Sequence, residues 1–236
     1  MTRVISVVGT AGGVGASVLT AALASRASHL GAAVVAVDAR PFGGGLDVVL
    51  GADEEPGLRW RDLADAAGPV EGAEVFGRLP LAGRCGVLSF DRDEPLIPSP
   101  EALTCLVGAL GRVSDIVLID APRAGEVWEA EVADLSDEVI AVTGYTIPAL
   151  AAAAASLAHL DLVHDGLWLA CRTDRETADL PDAITRRFDI PLLGAVPTDA
   201  RVPTALREGR PPPGRGRLAK AVDAMLGNLR PLRRAA

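Results

Sequence analysis

Apolar positions along the chain follow two rhythms. Short β-branched runs occupy Val4–Val8, Ala33–Val37, Gly86–Phe90, Asp115–Ile119, Glu138–Thr143, Leu167–Cys171 and Leu192–Val196. Their near-continuous apolar character is that of strands covered on both faces. Between them, Ala- and Leu-rich stretches of helical period span Ser17–Leu30, Pro100–Arg112, Pro148–Leu160 and Pro181–Phe188. Several open on proline, whose missing N–H costs nothing in the first turn of a helix. A last helix is expected from about Arg217 to Leu229, ending ahead of Pro231. This alternation predicts an α/β fold: a doubly wound, mostly parallel sheet with helices on both faces. Gly209–Gly216 reads as a loop tying the last helix to the body. No repeat and no long linker divides the chain, so residues 1–236 are expected to form one domain with an Arg-containing tail over 230–236.

Composition narrows the classes of function. Apolar residues are 49% of the 236, enough for a sizeable core, and aromatic residues only 3%, so that core is built from Ala, Val, Leu and Ile. So few rings argue against a base-stacking platform for single-stranded nucleic acid. The formal net charge of -8 weighs against broad phosphate-backbone binding, and no nucleic-acid partner is expected. The basic residues are 22 arginines and a single lysine, Lys220, in the last helix. Before that helix no lysine can form a Schiff base or grip a phosphate. Cys85, Cys105 and Cys171 make no CxxC pair, and His29, His159 and His164 make no metal motif. A reducing cytosol is the setting this implies. No run of 18 apolar residues exists and the N-terminus has no signal-like stretch, so a cytoplasmic protein is expected.

The candidate chemistry begins at Val7-Val8-Gly9-Thr10-Ala11-Gly12-Gly13-Val14-Gly15-Ala16-Ser17. This segment follows a predicted strand and opens a predicted helix, the context in which glycines let successive N–H groups converge on an anion. The helix N-terminus adds a favourable dipole, and Ser17 stands where such loops place a Mg²⁺-ligating hydroxyl. Three more segments follow in order at strand ends. They are Val37-Asp38-Ala39-Arg40 running on to Gly44-Gly45-Leu46-Asp47, then Ile116-Val117-Leu118-Ile119-Asp120, then Val196-Pro197-Thr198-Asp199. The C-terminal edge of the strands is where doubly wound folds bind ligands.

With these segments the chain resembles the MinD/ParA family of P-loop proteins with a deviant Walker A motif. Within it the likeness is to the CpaE/TadZ branch, including actinobacterial septum-site-determining (Ssd) proteins. It is carried by Gly12–Ser17, Gly44–Asp47, Pro56-Gly57-Leu58-Arg59-Trp60 and Pro197–Gly209, and extends over essentially the whole chain. Many relatives carry a receiver-like domain ahead of the P-loop domain; this chain begins at the first strand, so that domain is not expected here. The resemblance implies Mg²⁺–ATP held by Gly12, Gly13, Val14, Gly15, Ala16 and Ser17 with Pro197 and Asp199. Ser17, Asp38 and Asp120 would serve as the Mg²⁺ ligands. It also implies a homodimer, a pilus or secretion ATPase or a cell-division component as partner, and a polar or septal position.

The chain departs from the pattern at the positions that matter most. Active members carry KGGxGK[ST], and both lysine positions are alanine here, Ala11 and Ala16. The second acid of the switch segment is replaced by Arg40, which leaves Asp38 as the catalytic candidate. Charged hydrogen bonds contribute about 1.5–3 kcal/mol each, so losing two lysine contacts weakens nucleotide binding by roughly 3–6 kcal/mol if nothing replaces them. Hydrolysis suffers more, since those charges stabilise the transferring phosphoryl group. Weak nucleotide binding with little turnover is the expectation. An ATPase rebuilt on Arg40 or Arg123 is one alternative, and a DNA-binding partitioning protein is another. Both arginines also read as ordinary salt-bridge partners.

Smaller signals stay open in the sequence. Leu218, Val222, Met225 and Leu229 share a face of the last helix, with Arg230, Arg233 and Arg234 beyond. That face suits the sheet, or less readily a membrane surface. Trp60 between Arg59 and Arg61 suits an interface anchor or packing at a helix start. Asp134, Asp137 and Glu138 read as a solvated helix–strand connection.

Overall fold

The computed structural model describes residues 2–66, 68–94, 96–174 and 179–229. Among them, eight strands form one sheet: β1 (Arg3–Gly9), β2 (Val34–Asp38), β3 (Leu81–Ala82), β4 (Cys85–Leu88), β5 (Ile116–Asp120), β6 (Glu138–Thr143), β7 (Leu167–Thr173) and β8 (Leu192–Pro197). Their spatial order is β3-β4-β2-β5-β1-β6-β7-β8, and all pair in parallel except β3 with β4. The helices are α1 (Ala16–His29), α2 (Leu46–Leu50), α3 (Gly72–Phe76), α4 (Pro100–Gly111), α5 (Glu129–Leu135), α6 (Ile147–Val163), α7 (Leu180–Phe188), α8 (Arg201–Arg207) and α9 (Arg217–Asn228), with a 3₁₀ turn over Trp60–Leu63. The doubly wound α/β fold expected from the alternation is the fold observed.

Strand alternation sorts the core into two halves. Ile5, Val7, Val34, Ala36, Ile116 and Leu118 face α1 and α9, meeting Leu19, Leu23, Val222 and Met225. Val8, Val35, Val37, Val117 and Ile119 face the other side, meeting Leu103, Leu106 and Leu110 of α4 and Leu157 of α6. Each fully buried side chain of this size contributes roughly 1.5–3 kcal/mol, which is how a chain poor in aromatics holds an eight-stranded sheet. Prolines open α4 and α6 as expected, behind Ser99 and Thr146 whose hydroxyls accept from Ala102 N–H at 3.2 Å and Ala149 N–H at 3.4 Å.

Several expectations are corrected. The strand placed at Gly86–Phe90 runs over Cys85–Leu88. Beyond Leu88 the backbone leaves the sheet, because Ser89 C=O accepts from Trp60 N–H at 3.0 Å. The short elements α2, α3, α5, α8 and β3 were not anticipated, being too brief for either period to show. The connection at Asp137–Glu138 is not merely solvated. Asp137 Oδ2 accepts from Val4 N–H at 2.8 Å, and the Glu138 carboxylate pairs with Arg3 and accepts from Trp168 Nε1–H at 2.9 Å. The pairing of β6 between β1 and β7 draws these acids in.

The last helix resolves towards packing. Leu218, Val222, Met225 and Leu229 are all buried, with α9 lying against α1 and β8. The face available for a membrane is therefore used by the core, and no helix among the described residues is long and apolar enough to cross one. The tail over 230–236, including Arg230, Arg233 and Arg234, lies outside the described residues.

Candidate phosphate-binding site

β1 sits between β5 and β6, and its C-terminal end at Gly9 delivers the chain into the glycine loop. The loop is anchored from behind. Thr10 N–H donates to Val142 C=O at 3.0 Å, and Ser156 Oγ donates to Thr10 C=O at 3.1 Å. Gly15 stands at the N-cap of α1 with φ 93°, a conformation open to glycine and rarely to other residues. No side chain caps the helix, so the first-turn N–H groups remain open to a ligand.

In front of the loop lies a cavity of about 410 Å³. Its walls bring together Gly12, Gly13, Val14, Gly15, Ala16, Ser17, Arg40, Arg123, Pro197 and Asp199, all marked out by the sequence. Ala11 also lines it and Ala16 is buried, so neither alanine position offers a cation. Asp38 and Asp120 stand just behind. They are register partners at the ends of β2 and β5, on the α1 side of the sheet. Asp38 opens instead on an adjoining cavity of about 340 Å³, shared with Arg40 and Phe42.

The two carboxylates are electrostatically loaded. Burial first, and then the neighbouring Asp120, push the Asp38 carboxyl up to about 7. Its Oδ1 accepts from Arg40 N–H at 2.9 Å and its Oδ2 from Leu46 N–H at 2.8 Å, so Asp38 also shapes the loop that follows β2. Burial pushes Asp120 up to about 6, against the lowering effect of a hydrogen bond from Ser17 and of the Arg40 charge. Asp120 Oδ1 is buried with no hydrogen-bond partner among the described residues. Further along the loop, Arg92 Nη2 donates to the fully buried Asp47 Oδ1 at 2.8 Å. A Cβ on Gly45, whose φ is 86°, would stand 2.7 Å from that oxygen, which explains the glycine.

The arginines divide. Arg123 donates from Nε and Nη2 to Glu126 Oε1 at 2.9 and 2.6 Å, and Arg40 Nε lies 3.9 Å from Glu126 Oε2. Burial opposes these contacts, but they hold the Glu126 carboxyl below the ordinary carboxylate range. Asp199 is engaged by the Arg201 guanidinium at 3.0 and 2.6 Å, which holds its carboxyl far below the usual range. It forms a wall of the cavity with its charge already balanced. Trp60 is wholly buried, donates from Nε1 to Asp38 C=O at 2.7 Å and packs on Phe90 and Trp128. Between the interface and packing readings, the structure supports packing beneath the site.

Sequence reasoning missed Arg172, which lines the cavity from β7. The expected strand stopped at Cys171, one residue short. The signal lay in the alternation of β7, where Trp168 and Ala170 face α1. A strand carried one residue further places Arg172 on that same face, at the ligand-binding edge.

No protein-family model matches the chain. Two uncharacterized proteins from strains of Mycobacterium tuberculosis are 31% identical over 207 residues, a match covering 87% of this chain and 57% of theirs. The chain thus spans little more than half the length of the curated relatives it matches. Among solved structures, a ParA family ATPase from Chlorobium tepidum superposes with a TM-score of 0.83 at 20% identity, covering 96% of this chain and 99% of that one. The septum site-determining protein MinD from Pyrococcus horikoshii, complexed with Mg-ADP, gives 0.78 at 24% identity over 98% and 97%. An eight-stranded, mostly parallel sheet and these superpositions lead to one conclusion: the chain has the MinD/ParA P-loop NTPase fold.

Proposed function

We propose that this chain is a degenerate P-loop protein that binds Mg²⁺–nucleotide weakly and turns it over little or not at all. In this reading it acts as a dimerising spatial-localisation factor, for pilus or secretion machinery or for septum placement. One observation carries it: a glycine loop opens on a cavity of nucleotide-compatible size while Ala11 and Ala16 stand where active relatives have lysines. The MinD from Pyrococcus horikoshii is complexed with Mg-ADP, which supports nucleotide as the ligand class.

The residues present fit a magnesium ion. Asp120 Oδ1 is buried and unpartnered, Ser17 lies beside it, and Asp38 is the register partner of Asp120. Ser17, Asp38 and Asp120 would hold the ion, which would supply countercharge to the nucleotide phosphates. The chain's own contribution is the open helix N-terminus, the shaped cavity, and carboxylates whose ionisation a cation favours. Glu126 restrains Arg123 through two hydrogen bonds and lies 3.9 Å from Arg40 Nε, which supports binding over turnover.

Titration calorimetry with Mg²⁺–ATP and a phosphate-release assay test the reading together. Binding at micromolar or weaker affinity with phosphate release at the level of a protein-free blank is expected. Turnover abolished by Asp120→Ala would replace it with an arginine-assisted ATPase. A fluorescent fusion spread evenly through the cell would remove the localisation half.

A further inference from the structure

Arg172 is a cavity-lining cation that no described side chain neutralises. β7 places it: Leu167, Leu169 and Cys171 pack on the α4/α6 side, so the alternate positions Trp168, Ala170 and Arg172 point to the α1 side. Its Nη1 lies 3.5 Å from where a Cβ on Gly15 would stand. On the opposite flank, Arg123 Nη1 lies 3.6 Å from the equivalent point on Gly12. Two guanidinium groups thus bracket the glycine loop. They differ in one respect: Arg123 is tied to Glu126, whereas Arg172 has no ion pair among the described residues and its Nε is buried without an acceptor.

The buried Nε is unfavourable by itself, since its desolvation is not offset by a hydrogen bond among the described residues. Its neighbour aggravates the imbalance, because the uncapped N-terminus of α1 at Gly15 also carries positive potential. An anion between the two relieves both. The planar, multiply donating fork suits a phosphate better than a chloride or a water.

We propose that Arg172 is the phosphate-gripping side chain of this cavity, reaching the loop from β7 of the same chain where Ala11 and Ala16 supply no cation. The ligand class is a phosphoanhydride, in a nucleoside di- or triphosphate or in free pyrophosphate. The inference rests on reading the cavity as a phosphate site. It adds that the cation has moved from the loop to the sheet.

The test is titration calorimetry of the full chain with pyrophosphate, ADP, ATP and adenosine, on wild type, Arg172→Met and Arg172→Lys, with thermal unfolding of each unliganded protein. Arg172→Met is expected to weaken pyrophosphate and ADP by roughly ten- to a hundredfold, with Arg172→Lys in between. Adenosine, which has no phosphate, responds equally to all three proteins. Unliganded Arg172→Met unfolds at or above the wild-type temperature, because a buried donor without an acceptor has been removed. If Arg172→Met binds pyrophosphate and ADP as wild type does, the inference fails while the phosphate site stands. If wild type binds none of the phosphates, the phosphate-site reading fails and the inference with it. An Arg172→Met protein that unfolds well below wild type, with a lysine variant that restores stability but not affinity differences, would make Arg172 structural and overturn the proposal.

Discussion

Asp38 and Asp120 face one another across β2 and β5 because both follow apolar strands of matching register. Their raised proton affinities have a definite sign for stability. Each folded-state pKa lies above its unfolded value near 3.8, so the folded state holds these protons more tightly. The contribution is full below about pH 4 and is lost as pH rises through 6 and 7. Without divalent cations, the melting temperature should fall between pH 5 and pH 8. Asp120→Asn should flatten that decline and gain about 1–3 kcal/mol at pH 8; a profile parallel to wild type would show that Asp120 holds no extra proton in the folded state. Both aspartates were legible as strand-end acids, but their mutual repulsion was not, since it depends on strand order. The same scale explains Trp60. Trp60→Phe should lose about 1 kcal/mol with the hydrogen bond to Asp38. Trp60→Ala should lose roughly 3–5 kcal/mol, both read by denaturant unfolding. Its neighbour Trp128 holds φ 68° among these rings, a strained conformation that packing maintains.

At the scale of elements, strands and long helices were readable because near-continuous apolar runs and a 3.6-residue period are local signals. The short helices were not, since five to seven residues complete fewer than two turns. The amphipathic face of α9 was readable, but its partner was not. Burial of Val222 and Met225 against α1 and β8 decides for packing. Met225→Ala should therefore cost roughly 2–5 kcal/mol, measured by chemical denaturation. The folded chain should stay with the protein fraction in liposome flotation, and lipid-bound protein that retains full native stability would contradict the packing role. Arg172 also belongs here: the alternation of β7 gave its face, but how far the strand runs is set by pairing with β8 through Thr173 and Pro197.

For the whole molecule, the weak nucleotide binding proposed above would have a measurable consequence. A ligand at five times its dissociation constant stabilises the fold by about 1 kcal/mol, which for a chain of this size raises the melting temperature by about 2–4 °C. Millimolar Mg²⁺–ATP should give a shift of that order by scanning fluorimetry, whereas a shift beyond 10 °C would mark a tight site. By itself the sequence determined the doubly wound class and the order in which glycine loop, Asp38, Asp120 and Pro197 reach the sheet edge. It also determined that Ala11 and Ala16 give the glycine loop no cation, because each is a local pattern or an identity at a position. Tertiary structure alone decided that Glu126 claims Arg123 and lies near Arg40, that Arg201 claims Asp199, and that Arg172 reaches Gly15 with no ion pair among the described residues. Which charge meets which depends on how distant strands and loops are set side by side, and charge pairing acts through space without regard to separation along the chain.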